Sequence, residues 1–149
     1  MSLVTIRELR REDYEGWIEL WSGYLDFYRA DISEQVTRTT FDRLCDRTDG
    51  MFALVAVDER GQLVGLAHSV VHPSTWAPTG YCYLEDLFVA RGARGGDAAK
   101  LLIEATAGVA RERGAAQLYW HTQQFNGPAR SLYDTVGQLT SMVVYEREL

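Results

Sequence analysis

The run Tyr81 to Val89 (YCYLEDLFV) passes directly into Ala90-Arg-Gly-Ala-Arg-Gly-Gly, and from there into a stripe of apolar residues at helical spacing. This order constrains the fold more than any other feature of the chain. Aromatic and β-branched residues favour a strand, glycines break it, and Ala98, Leu101, Leu102, Ala105 and Val109 recur as the buried face of a helix ending near Arg113-Gly114. A strand, a glycine-rich turn and a helix in sequence require a sheet with a helix packed across it.

The flanking segments extend the same plan. Leu3 to Leu9 alternates as a first strand. Tyr14, Trp17, Ile18, Trp21, Leu25 and Tyr28 mark a helix with an aromatic face, whose N-cap is not evident from sequence. Ser33 can cap a second helix that carries Val36, Phe41, Leu44 and Cys45 inward and stops near Asp49-Gly50. Met51–Val57 and Gln62–Val71 flank Asp58-Glu-Arg-Gly61 and predict a hairpin. Gln117–Thr122 predicts a further strand. Asn126 caps a helix bearing Ala129, Leu132, Tyr133 and Val136, which Gly137 stops, and Met142–Arg147 predicts a last strand. The order β-α-α-β-β-β-α-β-α-β implies one α/β (α+β) domain spanning 1–149, with a mixed sheet and helices on both faces.

Composition limits the functions open to such a domain. At 149 residues, 46% hydrophobic and 24% charged, it is an ordinary soluble chain. A net charge of −6 argues against non-specific nucleic-acid binding, which needs a basic surface, and is compatible with a cationic substrate. Cys45 and Cys82 lie far apart without metal-ligand spacing, so reduced, buried thiols are expected. No apolar run reaches the roughly 20 residues of a membrane span, and no signal peptide is evident. These features predict a cytoplasmic protein without bound metal; His68, His72 and His121 lack ligand spacing.

Three groups of residues can carry chemistry. Arg94, Gly95 and Gly96 precede a helix N-terminus with Lys100 on its first turns, an arrangement that admits a diphosphate to unpaired N–H groups. A tight connection with no ligand would look the same. Glu85 and Asp86 interrupt an apolar strand, and strict alternation sends them to opposite faces. Unpaired burial of either is costly, so each has a partner, faces solvent or lines a cavity. Asn126, Ala129, Arg130 and Tyr133 share one helix face, where the tyrosine can equally be core.

Taken together, YLEDLFV, ARGG-D-AAKLLIEA and LYWHTQQFNGPARSLYDTVG resemble the acetyl-CoA-binding core of the GCN5-related N-acetyltransferases (GNAT). The resemblance is nearest to the diamine (spermidine/spermine) and yeast-type histone/polyamine branch and is clear from Tyr81 to Gly137. It implies a mostly antiparallel sheet with splayed central strands, and acetyl-CoA as the acetyl donor. The backbone of Leu87, Phe88 and Val89 would meet the pantetheine arm, and one of its N–H groups would stabilise the oxyanion. Arg94, Gly95, Gly96, Asp97, Ala98, Ala99 and Lys100 would form the diphosphate loop, with Asn126 and Ala129 nearer the pantetheine. Asp97 stands where the family has a glycine, a departure that places a carboxylate beside the diphosphate.

By the same resemblance, Tyr133 would protonate the departing thiolate, and Glu85 would deprotonate the acceptor ammonium. The acceptor side would be lined by Trp21, Tyr24, Asp26 and Tyr28 together with Glu85. The implied reaction is direct attack by a primary amine with both substrates bound. A small amine or polyamine leads as acceptor, with a protein lysine or N-terminus second, and the enzyme is expected as a homodimer. A non-catalytic acyl-CoA-binding or interaction module with a degenerate coenzyme loop is the alternative that Asp97 leaves open.

Overall fold

A computed structural model describes residues 3–149. In chain order it contains β1 (Thr5–Glu8), α1 (Tyr14–Phe27), α2 (Glu34–Asp46), β2 (Met51–Val57), β3 (Leu63–His72), β4 (Tyr81–Val89), α3 (Ala98–Glu112), β5 (Leu118–Tyr119) and α4 (Gly127–Val136). The five strands lie in the order β1-β2-β3-β4-β5. The first four are antiparallel neighbours, and β5 joins β4 in parallel.

The sheet separates two cores, as the sequence order predicts. On one face Phe52, Leu54 and Leu84 pack with Leu102 and Ile103 of α3. On the other, Ala53, Val55 and Leu66 meet Trp17, Leu20 and Trp21 of α1 and Phe41 and Leu44 of α2. Successive β2 residues therefore face different cores, which is why that strand is one uninterrupted apolar run. Each such fully buried aliphatic side chain contributes about 1.5–3 kcal/mol.

Several boundaries differ from the sequence expectation. The buried stripe of α3 is Ala98, Leu102, Ile103, Thr106 and Ala110, while Leu101 is turned outward. A pattern counted only on apolar residues passes over Thr106 and so rotates the stripe. In α2, Val36 is exposed, because Thr37 instead turns inward to accept the indole N–H of Trp21 at 3.1 Å. The expected strand Gln117–Thr122 shortens to two residues, since β5 pairs with β4 only at Cys82↔Leu118 and Tyr83↔Tyr119. Met142–Arg147 has the composition of a strand but joins no ladder.

The start of α1, without an evident cap in sequence, is fixed by Asp13. Its carboxylate accepts both guanidinium N–H groups of Arg7 on β1, at 2.8 and 2.9 Å, and the Arg10 backbone N–H at 2.8 Å. The Arg7 hydrogen bonds hold the Asp13 carboxyl below its ordinary range. Stability from a depressed carboxylate is present above its unfolded pKa, about 4, and is lost as pH falls through the folded value. Asp13→Asn should lower unfolding free energy by about 2 kcal/mol at pH 7. In urea melts from pH 7 down to 3, the difference from wild type should shrink as the medium becomes more acidic.

Candidate active site

Strand β4 builds the site through two irregularities. It stays paired with β3 as far as Gly65↔Val89, but β5 leaves it after Tyr83. From Leu84 to Val89 its other edge has no ladder partner, so apart from the Val89 carbonyl, which accepts from Arg94 Nε, the outward N–H and C=O groups there are available to bind something else. The second irregularity is a bulge. His68 pairs with Asp86 and Ser69 with Leu84, so Glu85 is an extra residue opposite nothing on β3.

The bulge overturns the expectation that Glu85 and Asp86 face opposite ways. An extra residue breaks the two-residue alternation, and both carboxylates line one cavity of about 410 Å³. Trp21, Tyr24 and Tyr28 form its aromatic side, together with Arg43, Thr40 and His68. These aromatics continue a ladder along α1: Trp17 stacks on Trp21 at 5.7 Å, Trp21 on Tyr24 at 5.6 Å, and Tyr24 lies 4.9 Å from Tyr28. Helical spacing of four, three and four residues aligns them. Asp26, on the same helix, is exposed and does not line the cavity.

The electrostatics of this cavity are specific. Partial burial raises the Glu85 carboxyl, and the adjacent Asp86 charge raises it further. Burial and then the Asp86 charge push the Tyr24 and Tyr28 phenols up, so both stay protonated. Asp86 is held from below. His68, almost wholly buried, places Nδ1 2.9 Å from Asp86 Oδ2, and its Nε2 is 3.0 Å from Trp17 Nε1. An indole N–H only donates. Nε2 must therefore accept, and Nδ1 donates its proton to the carboxylate. Sequence spacing gave no hint of this relay, because Trp17 and His68 are 51 residues apart.

Tyr133 is half-buried on α4 against the Trp120 ring, at 5.6 Å and 70°. Burial raises its phenol, with Tyr28 the second contributor, and its side chain lines a groove with Trp120 and Arg130 rather than the cavity of Glu85 and Asp86. Asn126 caps α4 by accepting the Ala129 N–H at 3.4 Å. Gly137 ends that helix where the Trp120 ring leaves no room for a Cβ.

The loop before α3 is open. Gly95 has φ +89° with empty space where a Cβ would stand, so its backbone can be approached closely. Arg94 folds back, donating from Nε to the Val89 carbonyl at 2.9 Å with its guanidinium over Phe88. Asp97 occupies the N-cap position of α3 but is exposed and makes no capping bond. Leu101 N donates to Asp97 O at 2.9 Å, which leaves the N–H groups of Ala98, Ala99 and Lys100 without helical partners. Cys82 is fully buried and its thiol is pushed up to about 11, so it is no nucleophile at neutral pH.

Comparison with known proteins agrees with this architecture. Residues 5–137 match the family model described as the Acetyltransferase (GNAT) family. The D-amino-acid N-acetyltransferase HPA3 of Saccharomyces cerevisiae is 32% identical over 145 residues, spanning 97% of this chain and 90% of that protein. The structure of AAC(6')-Iy with a CoA-linked bisubstrate analogue superposes with a TM-score of 0.85 at 18% identity, covering 99% of each chain. A ribosomal-protein-alanine N-acetyltransferase from Brucella melitensis gives 0.78 at 22% identity, covering 99% of this chain and 100% of its own. This chain belongs to the GNAT family and is an N-acetyltransferase. No helix among the described residues is long and apolar enough to cross a membrane.

The relay beneath Asp86 makes a stability prediction. His68→Ala leaves a buried indole N–H and a carboxylate without their partner and should cost about 3 kcal/mol in urea unfolding. Glu85→Ala, at the exposed bulge, should change stability by less than about 0.5 kcal/mol.

Proposed function

We propose that this enzyme transfers the acetyl group of acetyl-CoA to the primary amine of a small molecule by direct attack, with both substrates bound. The observation that carries the reading is the pair of carboxylates that one bulge brings into an aromatic cavity. Ammonium groups are attracted both to carboxylates and to aromatic faces. A cavity of about 410 Å³ suits a small amine better than a folded protein surface. A polyamine-like acceptor leads. An amino acid is the second reading: Arg43 lines the same cavity and can pair a carboxylate, and the yeast relative carries D-amino-acid acetylation in its name.

The residues present fit the donor. The free edge of β4 at Leu87, Phe88 and Val89 suits the amide-bearing arm, and the Gly95–Lys100 backbone suits the diphosphate. Acetyl-CoA supplies an activated thioester carbonyl when bound. Glu85 takes the proton from the acceptor ammonium, and its raised carboxyl makes it a better base than a free glutamate. The freed nitrogen lone pair attacks the thioester carbonyl carbon, the carbon–sulfur bond breaks as the carbonyl re-forms, the Tyr133 hydroxyl protonates the departing sulfur, and the second proton that nitrogen loses on becoming an amide restores the phenol. A phenol raised by burial holds its proton until that moment. The enzyme acts in the cytoplasm as a homodimer.

Two sets of measurements test the proposal. Tyr133→Phe should lower turnover in a thiol-release assay by about 100-fold, with acetyl-CoA affinity nearly unchanged. Glu85→Gln should abolish the rise of kcat/KM for the amine with pH that ionisation of the raised wild-type carboxyl produces. Retained turnover in either variant removes that residue from its role, and silence across a panel of polyamines and amino acids defeats the small-amine assignment. Separately, Asp97→Gly should raise coenzyme affinity, read as a larger thermal shift with acetyl-CoA.

A further inference from the structure

Asp86 lines the cavity with a charge that no cation of the described residues offsets. Its side chain is 16% exposed, and among those residues no lysine or arginine pairs with it. Arg43 lines the same cavity, but its guanidinium pairs with Asp49 at 3.4 Å. The partner Asp86 does have is His68, on the neighbouring strand β3. The Trp17 indole N–H occupies Nε2 of that ring, so its one proton lies on Nδ1 and points at the carboxylate. A neutral imidazole orients the charge and leaves it uncancelled.

Glu85 faces the same cavity but has a different task. As the proposed base it takes a proton from the reacting ammonium, and that nitrogen then carries no charge. An acceptor with a single ammonium would leave Asp86 unpaired at that step, and an enclosed carboxylate without a partner is costly. A second ammonium that no step of the reaction removes keeps Asp86 paired throughout. Tyr24 and Tyr28 complete the position, since their rings line the cavity and aromatic faces attract cations.

We infer that His68 is a positioning residue for acceptor binding: its Nδ1 hydrogen bond aims Asp86 into the cavity as the anchor for a second, unreacting ammonium, while Glu85 serves the reacting one. Trp17 takes part from 51 residues away by setting the tautomer of the ring. The inference rests on the small-amine reading. Within it, a diamine is selected over an amino acid, whose carboxylate Asp86 would repel.

The test compares kcat/KM for a four-carbon diamine and the four-carbon monoamine at saturating acetyl-CoA. One fixed pH is used, because Glu85 on β4, His68 on β3, Tyr24 and Tyr28 on α1 and Arg43 on α2 all surround the anchor. The wild type should prefer the diamine by about 10-fold, as expected of one charge-assisted contact. Asp86→Asn should erase that preference, chiefly through the KM of the diamine. His68→Met combined with Trp17→Phe removes the ring and the indole N–H together, so no buried donor is stranded, and should cut the preference by about 5-fold. His68→Gln, whose amide both donates and accepts, should restore most of it. An unchanged preference in Asp86→Asn overturns the anchor. Loss in Asp86→Asn without loss in the double variant, a fall shared equally by both amines, or a folded His68→Gln that does not recover overturns the role of His68. Equal use of the two amines by the wild type overturns the inference and leaves the small-amine reading standing, whereas silence on both removes that reading and the inference with it.

Discussion

Everything at the site follows from how strand β4 is paired. Its bonds to β3 run almost its whole length, whereas β5 holds it at only Cys82 and Tyr83. Full pairing on both sides would have satisfied the backbone internally and left nothing for a ligand. The divergence leaves a row of peptide groups exposed between a glycine-bearing loop and α4, and a bound amide-rich chain can replace the missing strand. Because β3 anchors the other edge of β4, the opening needs no flexible strand.

The bulge at Glu85 adds a pair of carboxylates to that scaffold. One extra residue turns two adjacent carboxylates into the same cavity, and their proximity is unfavourable in itself. The structure offsets this in two ways. Glu85 remains at the solvent edge, where its raised carboxyl is suited to accepting a proton. Asp86, more enclosed, receives the Nδ1 proton of His68, whose other nitrogen is occupied by Trp17. The relay fixes the direction of the hydrogen bond, so Asp86 is an oriented charge and Glu85 the exchangeable one. Placing the relay inside the aromatic core of α1 and α2 ties acceptor-site geometry to packing of that whole face.

Sequence pattern made the architecture legible because most elements are amphipathic or bounded by caps and glycines. Ser33 and Asn126 cap their helices as their chemistry suggests, and Tyr81–Val89 runs to the same limits in structure. The failures have physical causes. Alternation cannot foresee a bulge, so the shared direction of Glu85 and Asp86 was hidden. Long-range hydrogen bonds leave no spacing signature, so the roles of Asp13, Thr37 and His68 were hidden too. The run 142–147 shows that strand composition alone does not make a strand, since it joins no ladder. The likeness of three spaced motifs to a family added what periodicity could not supply, namely a reason to connect Tyr133 with Glu85 across 48 residues of sequence.

Asp97 shows how magnitudes decide between an inconvenience and a loss of function. A carboxylate in the first turn of a helix favours that helix by about 0.3–1 kcal/mol when nothing is bound. The same charge opposes a diphosphate, at about 1 kcal/mol per unit charge in water-like surroundings and several times more where water is excluded. Asp97 is exposed and uncommitted to any capping bond, so it can rotate into solvent and remain at the screened end of that range. Its penalty is then comparable to what a few backbone N–H groups return through charge-assisted hydrogen bonds. On the proposed reading such a loop would bind its anion more weakly than an all-glycine one and still bind it, and salt should weaken the repulsion from Asp97 as well as the attraction from Lys100. In the proposed coenzyme loop, Asp97 would therefore tune affinity without requiring β4 or α4 to move.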